Sequence, residues 1–424
     1  MKRSFPPGAV WLLTLILLGG CASDQPTEQP YQIAAKYSVG DPEFRRTIGN
    51  LLGPPFIGGN QTLTLVNGER IFGPMLETIN GAQKTINFET YVYWSGQVGA
   101  EFAGALARKA REGVKVHVII DTMGADRIDP NYLKLMKESG VEVVMYHPLH
   151  WYDIGWTKKI NNRTHRKLLI VDGEIGFTGG AGIADVWMGD GESPKHWRDT
   201  HYMVRGPIVW QLQAAFADNW METTGRVLHG DEYFPELPQV GSEWAQVFRS
   251  SPSGGSESMQ LLYLLSIAAA RKNIRISSAY FVPDQLTIDA LLKARQRGVM
   301  IQIIVPGKHI DEKIVRPASR AKWGPLLEAG IEIYEYQPTM YHCKLMIVDD
   351  QWVSIGSANF DERSFKLNDE ANLNILDHIF ADTQIDMFKN DLTQSKKITY
   401  EDWKRRPPGQ RFFEAIASPF SWLM

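Results

Sequence analysis

Cysteine is almost absent: the 424 residues include two, Cys21 and Cys343. With Cys21 in a leader segment, no intramolecular disulfide is available, so the fold holds without covalent staples even if exported. Long apolar runs are scarce as well, and Ala9 to Leu18 is too short to span a bilayer. A basic excess is also missing. Lys and Arg total 45 against 48 Asp and Glu, giving a net charge of −3 and a pI near 6.4. This balance argues against nucleic acid as a partner, since nucleic-acid binders usually carry a basic domain. Zinc-type spacing is missing too: His147 and His150 lie three apart, and His196 and His201 flank Asp199, without a recognised ligand pattern. No metal or cofactor is expected. The 44% hydrophobic content does suffice to bury substantial cores.

What is present is one short phrase written twice. His165-Arg166-Lys167 is followed after four residues by Asp172, and His342-Cys343-Lys344 after four residues by Asp349. A small-residue turn follows each: Gly179-Gly180-Ala181-Gly182 and Gly356-Ser357-Ala358-Asn359. Alternate strand residues share a face, so each His projects beside its Lys. The apolar runs Leu168 to Val171 and Leu345 to Val348 read as strands buried on both faces. Asp172 and Asp349 complete the motif, but their odd spacing from the His points to a structural turn rather than proton transfer. Cys343 faces away from its neighbours and reads as a small core residue.

Two such halves facing each other place two imidazoles and two ammonium groups in one pocket, which suits attack on a phosphodiester. A neutral imidazole attacks phosphorus while a protonated one supplies the leaving alcohol with a proton. The lysines hold the phosphate oxygens and offset the charge growing on them, so the scheme needs no metal. Each imidazole needs an acceptor on its other nitrogen. Asp199 and Glu370, at comparable distances downstream of the two motifs, are assigned that orienting role.

These motifs resemble the phospholipase D superfamily and, within it, the bacterial cardiolipin synthases. Trp197-Arg198-Asp199-Thr200-His201, Ala279-Tyr280-Phe281-Val282-Pro283-Asp284 and Arg363-Ser364 carry the likeness further, from about residue 65 to the end. The resemblance implies two similar α/β lobes with mostly parallel sheets, related by a pseudo-twofold axis with one active site at their interface. It implies phosphatidyl transfer between phospholipids, phosphatidylglycerol to cardiolipin, through a phosphatidyl-histidine. His165, Lys167, His342, Lys344, Asp172, Asp349, Asp199 and Glu370 form the implied catalytic set, with Gly180, Ser357 and Asn359 at the phosphate. Gly182 departs from the pattern, standing where the family has an Asn. Hydrolysis to phosphatidic acid, or cleavage of another phosphodiester, are the alternatives on the same residues.

The repeat extends beyond the motifs. Helix, glycine and strand alternate at Phe102 to Val118 and Leu133 to Val143, and again at Leu291 to Val305 and Pro325 to Ile333. The expected organisation is a leader over 1–21, a tether over 22–45, one lobe over 46–224, a connection over 225–257, a second lobe over 258–395 and an amphipathic tail over 396–424. Leu18-Gly19-Gly20-Cys21 resembles a lipoprotein box, with Cys21 lipidated. Phospholipid substrates and a membrane are thus the expected partners, on the periplasmic side of a bacterial envelope. The aromatic segments Leu149 to Tyr152 and Ile154 to Trp156, and the tail with Phe412, Phe413 and Trp422, are candidate lipid contacts; Tyr91, Tyr93 and Tyr280 are candidate pocket-lining residues.

Overall fold

The helix–glycine–strand units form as the periodicity requires. Helix Gln97–Arg111 buries Phe102, Ala103 and Leu106, and Gly113 (φ 92°) turns the chain into a strand. Its repeat, helix Gln285–Gln296, buries Ile288, Leu291 and Ala294, and Gly298 makes the same turn at φ 92°. Only glycine enters this left-handed region freely. The computed structural model describes residues 31–148, 162–252 and 258–417. The Cys21 box, both aromatic segments before the first motif, and Trp422 lie outside them. Described residues from Ile33 onward belong to one unit.

The strands are β1 (Ile57–Val66), β2 (Thr85–Thr90), β3 (Lys115–Asp121), β4 (Glu142–Tyr146), β5 (Arg163–Thr164), β6 (Leu168–Val171), β7 (Ile175–Gly179), β8 (Thr200–Arg205) and β9 (Glu243–Ser250). They continue with β10 (Asn273–Ser278), β11 (Phe281–Val282), β12 (Met300–Pro306), β13 (Glu332–Tyr336), β14 (Lys344–Val348), β15 (Trp352–Gly356), β16 (Phe360–Asp361), β17 (Asn368–Leu376) and β18 (Ser395–Ile398). One long sheet runs β4-β3-β2-β6-β7-β8-β1 and then β9-β17-β15-β14-β10-β12-β13-β18. Inward from β4 and from β13 the two halves have the same order, meeting where β1 pairs β9. This is a pseudo-twofold pair of α/β lobes sharing a sheet.

One expectation needs correction. The sheet is not mostly parallel: only β4-β3-β2 and β13-β12-β10 run parallel, while the edge strand β18 and the hairpin strands β6-β7-β8 and β14-β15-β17 are antiparallel. The continuous apolar runs that suggested parallel pairing arise because both sheet faces are covered, one by helices such as Val209–Thr224 and His378–Thr393. The connection over 225–257 contains β9, which pairs with β1 and β17 at the middle of the sheet.

Asp172 and Asp349 sit at the far ends of their strands, in turns with φ 54° and 53°. Asp172 accepts hydrogen bonds from the backbone amides of Gln83, Lys84 and Thr85 (2.7–2.9 Å), and Asp349 from those of Arg271, Lys272 and Asn273 (2.7–3.1 Å). Each carboxylate clamps the start of a neighbouring strand, β2 or β10. Five strand residues set each of them roughly 15 Å from the paired Lys, which places them at a structural turn. Asp349→Ala leaves three amides without their acceptor and is expected to cost about 2–3 kcal/mol. A thermal midpoint equal to that of the parent protein would contradict the clamp.

Candidate active site

Strand register brings the two halves together crosswise. β5, immediately before His165, pairs in parallel with the start of β17, immediately before Glu370. A second bridge joins Arg198 to Tyr341, immediately before Asp199 and His342. His165 N donates to Asp369 O (2.9 Å) and His342 N to Arg198 O (2.8 Å). Each histidine of one half therefore faces the carboxylate of the other. His165 Nδ1 lies 2.9 Å from Glu370 Oε2, and His342 Nδ1 lies 2.7 Å from Asp199 Oδ2. With Nδ1 held by a carboxylate, Nε2 is the nitrogen of each ring left for chemistry.

Both carboxylates are buried and firmly held. Glu370 accepts from Ser357 Oγ (2.5 Å), Ser364 Oγ (2.8 Å) and Asn368 Nδ2 (3.3 Å). Asp199 accepts from the Trp187 indole Nε1 (2.8 Å) and the Thr200 amide (2.8 Å). Burial alone would push Glu370 up, but His165, Lys167 and the serine hydrogen bond outweigh it and hold the carboxyl at about 2. Asp199 is likewise held below its ordinary value, because His342 and Lys344 outweigh burial. Burial pushes the His165 imidazole down to about 4 despite the pull of Glu370, so this ring is neutral at pH 7. His342 is lowered too, by burial and by the charge of Lys344.

Each lysine curls back on its own motif: Lys167 Nζ donates to His165 O and Lys344 Nζ to His342 O, both at 2.7 Å. Lys344 Nζ also lies 3.1 Å from the ring nitrogens of His342. Burial lowers Lys344, and burial with the repulsion of Lys344 brings Lys167 down to about 7 despite the pull of Glu370. An anion between the two ammonium groups relieves that repulsion and restores their protons. Raising the pH through about 7 discharges Lys167 in the free protein and removes one cation that an anionic phosphodiester meets. KM for the substrate is therefore expected to rise above neutral pH, with kcat changing less. Steady-state kinetics checks this, and a KM constant from about pH 6 to 9 would contradict it.

These groups open onto a cavity of about 800 Å³, with His165, Lys167, His342 and Asn359 in its wall. Tyr91, Tyr280, Trp94, Trp187 and Trp197 supply aromatic walls, and Met123, Ile314 and Val315 an apolar side. Trp187 and Trp197 each stand 5.4 Å from the His342 ring, while Tyr91 stands 5.4 Å from that of His165. Tyr93 is not part of the wall; it is buried and donates to Gly99 O (2.9 Å). Cys343 is buried on the opposite side, where burial pushes its thiol up to about 12.

The three residues expected at the phosphate separate. Asn359 lines the cavity, and its buried Oδ1 has no hydrogen-bond partner among the described residues. Ser357 points its hydroxyl at Glu370 instead, and Gly180 lies against Asp199, where an added Cβ meets Oδ1 at 2.2 Å. Gly182 leaves no room for the family's Asn: an added Cβ falls 2.8 Å from Val92 Cβ and 3.2 Å from the Trp187 ring. That ring is the one bonded to Asp199, so the departure at Gly182 makes space for a group that supports the His342 carboxylate. Trp187 and Asn368 escaped the sequence reading, since neither lies within a repeated motif. Ser364 was visible beside Arg363, but only as part of a phrase.

Comparison with known proteins places the chain in a family. The sequence family described as "Cardiolipin synthase, PLD-like domain" matches residues 75–186 and 263–392. A cardiolipin synthase of Geobacillus sp. (strain WCH70) is 36% identical over 86% of this chain and 72% of its own length. Cardiolipin synthase 2 of Bacillus anthracis is 35% identical over 86% of this chain and 71% of its own. Among solved structures, phosphatidylserine synthase of Haemophilus influenzae Rd KW20 superposes with TM-score 0.64 over 90% of this chain and all of its own, at 15% identity, a likeness of fold. The chain thus belongs to the cardiolipin synthase family of phospholipase D-superfamily phosphatidyltransferases.

Proposed function

We propose that this protein makes cardiolipin by moving a phosphatidyl group from one phosphatidylglycerol to a hydroxyl of another, by way of a phosphatidyl-histidine and without a metal. The observation that carries this reading is the crossed pairing of two His/carboxylate dyads on one cavity. His165 Nε2 attacks phosphorus, and the P–O bond to the head-group glycerol breaks as that oxygen takes a proton from His342 Nε2. Glu370 stabilises the positive charge gained by the His165 ring. The second lipid's hydroxyl then gives its proton to His342 and attacks phosphorus, breaking the P–N bond and freeing His165. The shorter bond, 2.7 Å from His342 to Asp199, suits the ring that carries the proton. The cationic role falls to Lys167 and Lys344, which meet the phosphate oxygens, and Asn359 offers them a side-chain amide.

The apolar and aromatic cavity wall favours lipid over a hydrophilic phosphodiester. We extend the proposal to a lipid anchor at Cys21 and a periplasmic setting, on the strength of the Leu18-Gly19-Gly20-Cys21 box. No helix among the described residues is long and apolar enough to cross a membrane. The test is incubation of purified protein with phosphatidylglycerol, with and without phosphatidylethanolamine, and mass spectrometry of the lipids formed. Cardiolipin as main product supports transfer; phosphatidic acid alone moves the reading to hydrolysis.

A further inference from the structure

The tail helix Pro408–Ala417 is amphipathic but only partly covered. One face packs on helix Val315–Glu328, where Glu414 is buried and paired with Arg406 Nε (2.5 Å) and Arg320 Nε (3.6 Å). These ion pairs fix the rotation of the helix. Phe412 and Phe413 are left 63% and 65% exposed, with Ile416 at 48%. The three residues occupy one arc of about 100° on a helix of 3.6 residues per turn.

The position of this arc matters more than its existence. Ala417 packs in one apolar cluster with Val315, Val282 and Tyr280, and both Val315 and Tyr280 line the active-site cavity. Ile314, beside Val315, and Met123 are exposed apolar residues of the same cavity wall. One buried cluster thus separates the cavity wall from the exposed arc of the tail helix. Lys404, Arg405 and Arg411 are exposed beside it. Aromatic side chains with a basic border match an anionic lipid surface: rings enter the interface while the cations meet the head groups.

We propose that Phe412, Phe413 and Ile416 seat the protein on an anionic bilayer with the cavity mouth toward it, so that a phospholipid enters without crossing water. The inference rests on the phosphatidyl-transfer reading for its substrate, but its first test needs no turnover. Full-length protein carrying benzoylphenylalanine in place of Phe413 is irradiated in vesicles of phosphatidylglycerol and phosphatidylcholine, and its peptides are weighed. The control carries the same group in place of Ile379, 76% exposed. That residue stands beside His378, which bonds Asp350 O at the sheet end opposite the cavity. Lipid adducts at 413 and not at 379 are expected. Equal lipid labelling at both positions, or adducts at 413 to a second protein copy alone, would overturn the proposal. As a second readout, a Phe412→Ser, Phe413→Ser variant should lose roughly tenfold in transfer from vesicle lipid. It should keep its rate on a short-chain phosphatidylglycerol dispersed below its micelle concentration. An equal fall on both substrates would also overturn it.

Discussion

Replacing either His165 or His342 by alanine is expected to remove at least about three orders of magnitude from turnover, because neither half carries a complete reaction. The two losses differ in kind. In the proposed mechanism His165→Ala removes the nucleophile, so no phosphorus–nitrogen bond forms. His342→Ala keeps the nucleophile, still oriented by Glu370 at 2.9 Å, but loses the proton that lets the head-group alcohol leave. The double variant should be little worse than either single one, as expected for groups acting in one sequence of bond changes. Rates measured on purified lipid substrate check all three. Full activity in either single variant would contradict a shared site.

The second large effect concerns the carboxylates. Glu370→Gln keeps size and some hydrogen bonding but removes the charge that supports a cationic His165 ring. A loss on the order of 10²–10⁴ in kcat is expected, with KM little changed. Asp199→Asn should act similarly through His342. The crossed geometry makes a sharper claim than the size of the loss. A cycle pairing Glu370→Gln with His165→Ala should be strongly non-additive, and the cycle pairing Glu370→Gln with His342→Ala should be closer to additive in its effect on the attack step. Coupling that followed sequence order, Glu370 with His342, would contradict the structure.

That pairing marks the limit of what the sequence discloses. The His/Lys pairs were readable because a strand's period of two places residues 165 and 167, or 342 and 344, on one face whatever surrounds them. The helix–glycine–strand repeats were readable for the same reason: their signals are local. Asp199 and Glu370 were visible as candidate orienters, but their partners depend on β5 lying beside β17 and Arg198 beside Tyr341, contacts between segments far apart in the chain. The antiparallel centre of the sheet was hidden because coverage on both faces erases the alternation that would have revealed it. β9 was masked by the Gly-, Pro- and Ser-rich sequence around it. Trp187 shows how a departure can be read once the structure is known: an indole fills the space that Gly182 leaves and supports Asp199.

The most direct test of the proposed chemistry is to trap the covalent intermediate. Protein mixed with phosphatidylglycerol bearing a labelled diacylglycerol part is quenched in denaturant at alkaline pH, where phosphoramidates survive, and its peptides are sequenced by mass spectrometry. The account predicts a phosphatidyl group on His165, absent from His165→Ala and retained in a quench of Asp199→Asn. Label on His342 instead, or full cardiolipin formation with no labelled histidine at any quench time, would contradict it.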